Sequence, residues 1–464
     1  MKERKQKIAK ATWQRKDRAE PDGYVGGQTF MWITENNVTN VDRPQHGLLE
    51  EILSPDNLNK AYRRVKGNKG AGGVDKMETD DLLSYLSSHK EALLESILSG
   101  KYRPNPVRRV EIPKDNGKKR LLGIPTVVDR VIQQAITQVL SPIYERQFSE
   151  TSYGFRPRRS AHQALRKCQE FIDEGYIYAI DMDLEKFFDT VNHSKLVEIL
   201  SRTIKDGRVI SLIHKYLGAG VVVRNTFEET ALGVPQGGPL SPLLSNIMLN
   251  ELDKELERRG HRFVRYADDC VIFCKSKRAA VRTLANILPF IEGRLFLKVN
   301  REKTMVAYIK DIKFLGYTFY VYRGKGRLRV HSKSLTKLKD SLRSLTARSN
   351  GWGYDKRKET LKQFITGWVN YFRLADMKRY LEDLDKWLRR RLRMVIWKQW
   401  KRIRTRFRNL IKLGIPEHKA YQFANTRKGY WRTAKSPILQ RSISSDTLNR
   451  AGYIFLSDCY RSCQ

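Results

Sequence analysis

The sequence predicts an α+β domain built around an antiparallel sheet, followed by an all-α C-terminal third. Strand-like and helix-like stretches alternate over residues 105–320, a pattern typical of an α+β domain. Beyond about residue 325 the strand-like runs stop, and neither Gly nor Pro occurs between Gly367 and Gly414, which indicates long helices. The predicted strands are 107–112, 177–182, 263–266, 270–273 and 314–322, and the predicted helices are 129–140, 161–171 and 240–256.

The net charge narrows the class of partner. The 464 residues carry a formal charge of +39, and the usual partner of so positive a surface is a nucleic acid backbone. A membrane surface is the rival partner. However, the sequence has no apolar run near the roughly 18 residues of a spanning helix and no signal-peptide core. We therefore expect a nucleic-acid-binding protein of the cytosol.

Much of the charge lies in the C-terminal third. Residues 321–464 hold 36 Lys and Arg against 10 Asp and Glu, a surplus of 26. Apolar residues recur at three- and four-residue spacing over 381–407, which predicts one buried helix face. The intervening basic residues could form a solvated face, but a surface for RNA or DNA is favoured because so many like charges repel without a polyanion. The candidate contacts are Arg389, Arg390, Arg393, Lys401, Arg402, Arg404, Arg406 and Arg408.

Cysteine spacing argues against a structural metal. The five cysteines include no CxxC pair and no set with zinc-finger spacing, so we expect reduced thiols. Cys270 and Cys274 fall in an apolar strand, where burial is expected. Residues 1–46 precede the first helical pattern and are interpreted as an appendage without an assigned role.

An acidic turn is the strongest local signal for chemistry. The run from Arg265 to Asp269 lies between two short apolar segments, which predicts a strand, a tight turn and a strand. Asp268 and Asp269 then stand side by side, and a pair of hard divalent cations would offset their repulsion. The alternative is an ordinary solvated turn, in which Asp is common.

A second acidic site ends the apolar strand predicted over 177–182. Asp181 and Asp183 fall on the same strand face because side chains alternate with period two, so periodicity cannot say which of them binds metal. The position at the strand end favours Asp183, which leaves room for substrate. A helix-capping Asp is the alternative.

Two loops carry residues suited to a nucleotide. Residues 233–242 form a Gly- and Pro-rich loop whose glycines permit close approach of a backbone or a nucleotide. Residues 112–121 read as a basic hairpin, in which Lys114 and the fork-shaped guanidinium of Arg120 suit a triphosphate. A generic loop and a solvated hairpin are the alternatives.

The order and spacing of these elements resemble a reverse transcriptase, and more closely the reverse transcriptase/maturase proteins encoded by group II introns. The resemblance covers about residues 48–464 and lacks only the N-terminal appendage. It rests on the segments 112–114, 122–125, 152–157, 187–189, 235–238, 266–269, 314–317, 367–372 and 427–431.

The resemblance assigns roles to individual residues. In the family, an aromatic residue that contacts the sugar 2′ position lies five residues after the first catalytic carboxylate. Phe188 matches this aromatic residue, so the resemblance selects Asp183 over Asp181. The resemblance also implies that Asp183, Asp268 and Asp269 hold two Mg²⁺ ions as catalytic ligands. The implied dNTP-binding residues are Lys114, Arg120, Phe188, Gln236 and Lys303.

The implied fold is a right-hand polymerase followed by a maturase region. It assigns 47–104 to the helical part of the fingers, 105–322 to fingers and palm, 323–410 to the thumb and maturase (X) domain, and 411–464 to a basic extension that could contact DNA. No HNH endonuclease pattern follows Trp431, so that domain is not expected.

The implied function is RNA-directed DNA polymerisation together with intron splicing and retrohoming by target-primed reverse transcription. The expected partners are group II intron RNA, an RNA template with a DNA primer, dNTPs and target DNA, in a bacterial cytosol and at the nucleoid when DNA is bound. The alternatives are a splicing-only maturase, or a reverse transcriptase of a retron, defence or diversity-generating system.

Overall fold

The computed structural model describes residues 47–113, 119–224 and 226–463. The predicted appendage 1–46 and the predicted ligand Lys114 lie outside these residues. Internal contacts divide the described chain into two compact units, with the division between Leu328 and Arg329.

The N-terminal unit mixes helices and sheets, which confirms the predicted α+β class. Its helices are α1 (Leu48–Leu53), α2 (Pro55–Gly67), α3 (Leu82–Leu98), α4 (Val127–Glu145), α5 (Ala161–Asp173), α6 (Phe187–Thr190), α7 (His193–Thr203), α8 (Gly207–Leu217), α9 (Ser241–Arg258) and α10 (Lys277–Gly293). Its strands are β1 (Val107–Pro113), β2 (Lys119–Ile124), β3 (Tyr178–Met182), β4 (Val221–Val223), β5 (Thr226–Glu228), β6 (Arg262–Tyr266), β7 (Asp269–Cys274), β8 (Met305–Tyr308) and β9 (Tyr317–Tyr322).

The central sheet brings the two acidic segments together. It has the order β6-β7-β3-β8, and all its neighbours are antiparallel. Residues Cys270 to Cys274 of β7 are all buried, including the two predicted cysteines, because α10 packs against β3 and β7. The register pairs Met182 with Cys270. The carboxyl end of β3 therefore lies beside the start of β7.

A second sheet, of order β2-β1-β4-β5, lies in the same unit. Its β1 and β2 pair antiparallel, as predicted for the basic hairpin, whereas β1 and β4 pair parallel. The following helix α4 begins at a buried cap. Asp129 accepts hydrogen bonds from Thr126 Oγ1 at 2.6 Å and Tyr102 OH at 2.7 Å. These bonds satisfy a carboxylate that is only 1% exposed and whose pKa is raised by burial.

Strand β10 (Lys325–Val330) pairs with β9, so strands continue slightly past the predicted limit of about residue 325. The C-terminal unit, which begins at Arg329, is helical beyond this strand, as predicted. The helices that follow are α11 (Ser332–Leu345), α12 (Tyr354–Phe372), α13 (Lys378–Gln399), α14 (Ile403–Lys412), α15 (Glu417–Ala424), α16 (Tyr430–Thr433), α17 (Pro437–Ser442), α18 (Ser445–Arg450) and α19 (Leu456–Ser462). In the described residues no helix is long and apolar enough to cross a bilayer.

The prediction of one continuous buried face over 381–407 is wrong at its end. The chain leaves the helix at Trp400, whose ψ is 66°, and its carbonyl accepts a hydrogen bond from Arg406 Nε at 2.9 Å. The Trp400 ring stays buried against Trp397, with ring centroids 5.8 Å apart. Because the break rotates the next helix, Ile403 is 50% exposed. Tertiary packing of a tryptophan thus overrides the helical periodicity.

A buried carboxylate attaches the last helix to α13. Asp385 is fully buried and accepts hydrogen bonds from the backbone N–H groups of Leu456, at 3.0 Å, and Ser457, at 2.8 Å. These are the first two residues of α19, whose N–H groups have no partner within the helix. Asp385 therefore caps a helix that lies about seventy positions further along the chain.

We expect Asp385→Ala to destabilise the protein by about 2–4 kcal/mol, because it leaves two buried N–H groups without an acceptor. Denaturant unfolding of the full chain measures the change. Asp383→Ala is the matched control, since Asp383 lies on the same helix in a salt bridge with Lys386 whose partners are both at least 70% exposed. The control should change stability by no more than about 0.5 kcal/mol. Equal effects of the two substitutions would contradict the capping role.

Candidate active site

The acidic turn is the tip of the β6–β7 hairpin. Tyr266 pairs with Asp269, so Ala267 and Asp268 form a two-residue loop. Ala267 has φ 58°, in the left-handed region, which suits a tight hairpin connection but is unfavourable for a residue with a Cβ. The turn places Asp268 and Asp269 next to the end of β3.

Asp183 follows β3 directly, and hydrogen bonds to its N–H and carbonyl groups fix its backbone. Its N–H donates to Thr304 Oγ1 at 3.2 Å, and its carbonyl accepts from Asn300 N at 2.8 Å. The turn from Asn300 then brings Lys303 back to the carboxylate, where its Nζ donates to Asp183 Oδ2 at 2.9 Å. The predicted site residues Asp183 and Lys303 are therefore in direct contact.

Four carboxylates influence one another at this edge of the sheet. Desolvation by the surrounding protein, then Asp268, Asp181 and Asp183, raise the pKa of Asp269 to about 7. Desolvation and Asp183 raise the pKa of Asp181 to about 6. Desolvation likewise raises the pKa of Asp268, with a smaller contribution from Asp183. The structure thus places Asp181, Asp183, Asp268 and Asp269 close enough for their charges to interact.

The donor chemistry of this cluster fits a divalent cation. Carboxylate oxygens are the hard ligands that Mg²⁺ prefers, and a cation would relieve the repulsion that raises these pKa values. Among the described residues, however, no three His, Cys, Asp or Glu side chains lie close enough together to hold a metal in this arrangement. The ammonium of Lys303 instead supplies a positive charge to Asp183.

The Gly- and Pro-rich loop is hydrogen-bonded to helix α6 and to strand β2. Val234 N donates to the Phe188 carbonyl at 2.6 Å, and Gly123 N donates to the Gln236 carbonyl at 2.6 Å. Gly237 has φ 123°, and a Cβ there would lie 2.2 Å from the Gly123 carbonyl oxygen. The loop therefore fixes Phe188 and Gln236, both half-buried, relative to β2.

Arg120 lies on β2, opposite Ile112. Its positive charge opposes the rise in the pKa of Asp268 that desolvation causes. This predicted phosphate-binding residue therefore lies close enough to the acidic turn for the two charges to interact. Its predicted partner Lys114 cannot be located, because 114–118 are outside the described residues.

Two family models match the chain in the same order as the two units. Residues 112–319 match the model described as "Reverse transcriptase (RNA-dependent DNA polymerase)", and residues 335–414 match "Group II intron, maturase-specific domain". Protein YkfC of Escherichia coli K12 is 37% identical over 327 residues, which are 61% of this chain and 86% of that protein. The chain belongs to the group II intron reverse transcriptase/maturase family.

The chain covers a smaller share of two relatives whose names refer to introns. The group II intron-encoded protein LtrA of Lactococcus lactis is 32% identical over 358 residues, which are 63% of this chain and 59% of LtrA. The putative COX1/OXI3 intron 2 protein of Saccharomyces cerevisiae is 28% identical over 436 residues, which are 74% of this chain and 50% of that protein. The chain thus spans between half and two thirds of these two relatives.

The arginines expected to contact nucleic acid differ in their surroundings within the C-terminal unit. Arg393 is only 9% exposed and donates to the Ile443 carbonyl at 2.8 Å. Arg390 stacks on the Trp431 ring at 3.8 Å, and Arg389 lies 5.0 Å from the Phe455 ring centroid. All three side chains contact C-terminal segments of the same unit, and Arg393 is buried while Arg389 and Arg390 are half-buried; a nucleic acid contact at these residues stays a prediction.

The basic residues after the helix break are more accessible. Arg406 is half-buried over the Trp397 ring, with 4.8 Å between its guanidinium carbon and the ring centroid. The exposed members of the predicted set are Lys401, Arg402, Arg404 and Arg408. These four are the most accessible of the predicted set, for all of which a nucleic acid contact stays a prediction.

Sequence reasoning missed Lys313, which lies just before the motif at 314–317. Its positive charge opposes the rise in pKa of both Asp181 and Asp269. The available signal was a lone basic residue beside a conspicuous apolar motif, which is too common on surfaces to be selective.

Proposed function

We propose that this chain copies RNA into DNA at the Asp183–Asp268–Asp269 cluster, binds group II intron RNA, assists its splicing and supports retrohoming by target-primed reverse transcription. One observation carries the proposal. The register of β3 with β7 places Asp183 beside the acidic hairpin tip, within a domain that matches the reverse transcriptase model. We further propose fingers and palm over 47–322, thumb and maturase regions over 323–410, and a DNA-contacting extension over 411–464.

Two Mg²⁺ ions would be held by Asp183, Asp268 and Asp269. When bound, such ions lower the pKa of the primer 3′-hydroxyl and neutralise charge on the departing pyrophosphate. The fixed hairpin and the strand end hold the three carboxylates in place, so little reorganisation is needed during the reaction.

The remaining residues would act on the incoming dNTP. Lys114 and Arg120 orient its phosphates, and Gln236 lines the pocket floor from the loop that Gly123 anchors. Phe188 excludes a ribose 2′-hydroxyl by contact. Lys303, whose Nζ donates to Asp183 Oδ2 at 2.9 Å, would supply a positive charge beside the reacting phosphates.

Primer extension tests the proposal. The purified chain is expected to extend a DNA primer on an RNA template with dNTPs and Mg²⁺, and to lose this activity in EDTA because the carboxylates alone repel the substrate phosphates. A chain that binds and splices its intron RNA without extending any primer would instead be a splicing-only maturase.

A further inference from the structure

We propose that Arg265 is a positioning residue that holds the acidic turn in its active conformation through the carbonyl of Ala267. The inference rests on the proposed function of that turn, but its central measurement does not require polymerase activity. Three further residues take part: Asp253 and Asn246 of α9 bind Arg265, and Gly154 packs against the turn.

The guanidinium of Arg265 is fully buried, and each of its three nitrogens donates a hydrogen bond. Its Nε donates to Asp253 Oδ1 at 2.8 Å, and its Nη1 donates both to Asn246 Oδ1 and to the Ala267 carbonyl at 2.9 Å each. Arg265 and Asp253 are both 0% exposed. The planar fork therefore joins helix α9 to the main chain of the turn.

The turn needs such support because of its backbone. Ala267 has φ 58°, and a non-glycine residue in the left-handed region costs about 1–2 kcal/mol unless its surroundings fix it. A rearrangement of the turn that returned Ala267 to a negative φ would relieve this cost, and it would also reorient Asp268. The bond from Arg265 to the Ala267 carbonyl restrains the turn against such a rearrangement.

Gly154 forms a second support on the other side of the turn. A Cβ on Gly154 would lie 2.1 Å from Ala267 N, so the segment approaches the turn as closely as a backbone can. Asn246 Nδ2 donates to the Gly154 carbonyl at 2.8 Å, while Tyr153 N donates to the Arg265 carbonyl at 2.9 Å. The same asparagine thus holds both supports.

Stability alone is a weak explanation for this ion pair. Replacing a buried ion pair with apolar residues is often neutral or stabilising, because desolvation offsets the attraction. A second buried arginine provides the comparison: Arg357, 2% exposed, donates to Asn350 Oδ1 at 2.7 Å and to the Trp352 carbonyl at 3.2 Å. Both partners lie in the C-terminal unit, whereas Arg265 reaches the acidic turn directly.

The test compares Arg265→Lys with Arg357→Lys. Both substitutions keep a positive charge but lose the fork, so both should lower the melting temperature. Only Arg265→Lys should weaken Mg²⁺ binding, measured by calorimetry on the chain bound to an RNA template and DNA primer. We expect about a tenfold or larger loss of affinity and a comparable rise in the Mg²⁺ concentration needed for extension, with primer–template affinity unchanged.

Gly154→Ala provides an independent variant if Arg265→Lys fails to fold. It leaves the ion pair intact and displaces the Ala267 peptide, so it should also weaken Mg²⁺ binding. Unchanged Mg²⁺ affinity in a folded Arg265→Lys or Gly154→Ala chain, or an equal loss in Arg357→Lys, would overturn the positioning role. An unmutated chain that binds Mg²⁺ but extends no primer would overturn the proposed function alone.

Discussion

Asp268→Asn is expected to abolish primer extension, by at least about a thousandfold, while the chain stays folded. The amide keeps the shape of the side chain but removes the charge that would bind metal. Desolvation and the neighbouring Asp183 already raise the pKa of Asp268, so a neutral side chain relieves repulsion in the metal-free protein. The melting temperature should therefore hold steady or rise.

A comparison of Asp183→Asn with Asp181→Asn sharpens this prediction. Both carboxylates lie at the end of the same strand, but only Asp183 contacts Lys303 and follows the last paired residue of β3. Single-turnover extension should fall as far in Asp183→Asn as in Asp268→Asn, whereas Asp181→Asn should lose no more than about tenfold. Retained extension in Asp268→Asn with Mg²⁺ would refute the metal-ligand assignment.

The strands of the central sheet could be predicted because their side chains alternate and their residues are apolar. The strands predicted over 263–266 and 270–273 are observed as Arg262–Tyr266 and Asp269–Cys274. The match is close because the tight turn between them fixes where each strand ends. Strand β8 escaped prediction because it is short, lies at an edge and is not fully buried. The three-residue strands β4 and β5 carry too little pattern to be recognised.

The choice between Asp181 and Asp183 shows where periodicity ends. The two residues share a strand face, so only three-dimensional neighbours distinguish them. Asn300, Lys303 and Thr304 supply these contacts to Asp183 from more than a hundred residues away. No local pattern in the sequence encodes these contacts, so only the family resemblance selected Asp183 over Asp181.

The basic helix α13 shows a different limit. Charge counting treats arginine as a surface residue, but its planar group can be buried when carbonyls and aromatic rings surround it. Arg393 and Arg390 meet such partners in Ile443 and Trp431. These partners are some forty to fifty residues distant, so a helical wheel drawn over 381–407 cannot include them.

Phe188→Ala is expected to increase incorporation of rNTPs relative to dNTPs by about ten- to a hundredfold, because steric exclusion of one small group is worth roughly 1–3 kcal/mol. The gate role needs a ring that cannot move aside. The Phe188 carbonyl accepts from Val234 N at 2.6 Å, and its ring packs edge-on against Phe187 with centroids 5.2 Å apart. Phe187 is itself only 2% exposed, so the wall is rigid.

Competition between one rNTP and its matching dNTP on a single template position measures the ratio directly. Phe188→Tyr is the matched control, since it keeps the ring and should keep the discrimination. Gly233 gives a reason to expect the backbone to survive the alanine substitution: a Cβ at Gly233 would lie 2.9 Å from the Phe188 carbonyl oxygen, so the loop is held by main-chain contact rather than by the ring. An unchanged ratio in a folded Phe188→Ala chain would assign sugar selection to another residue, whereas a loss of all extension would mean that the ring also positions the dNTP.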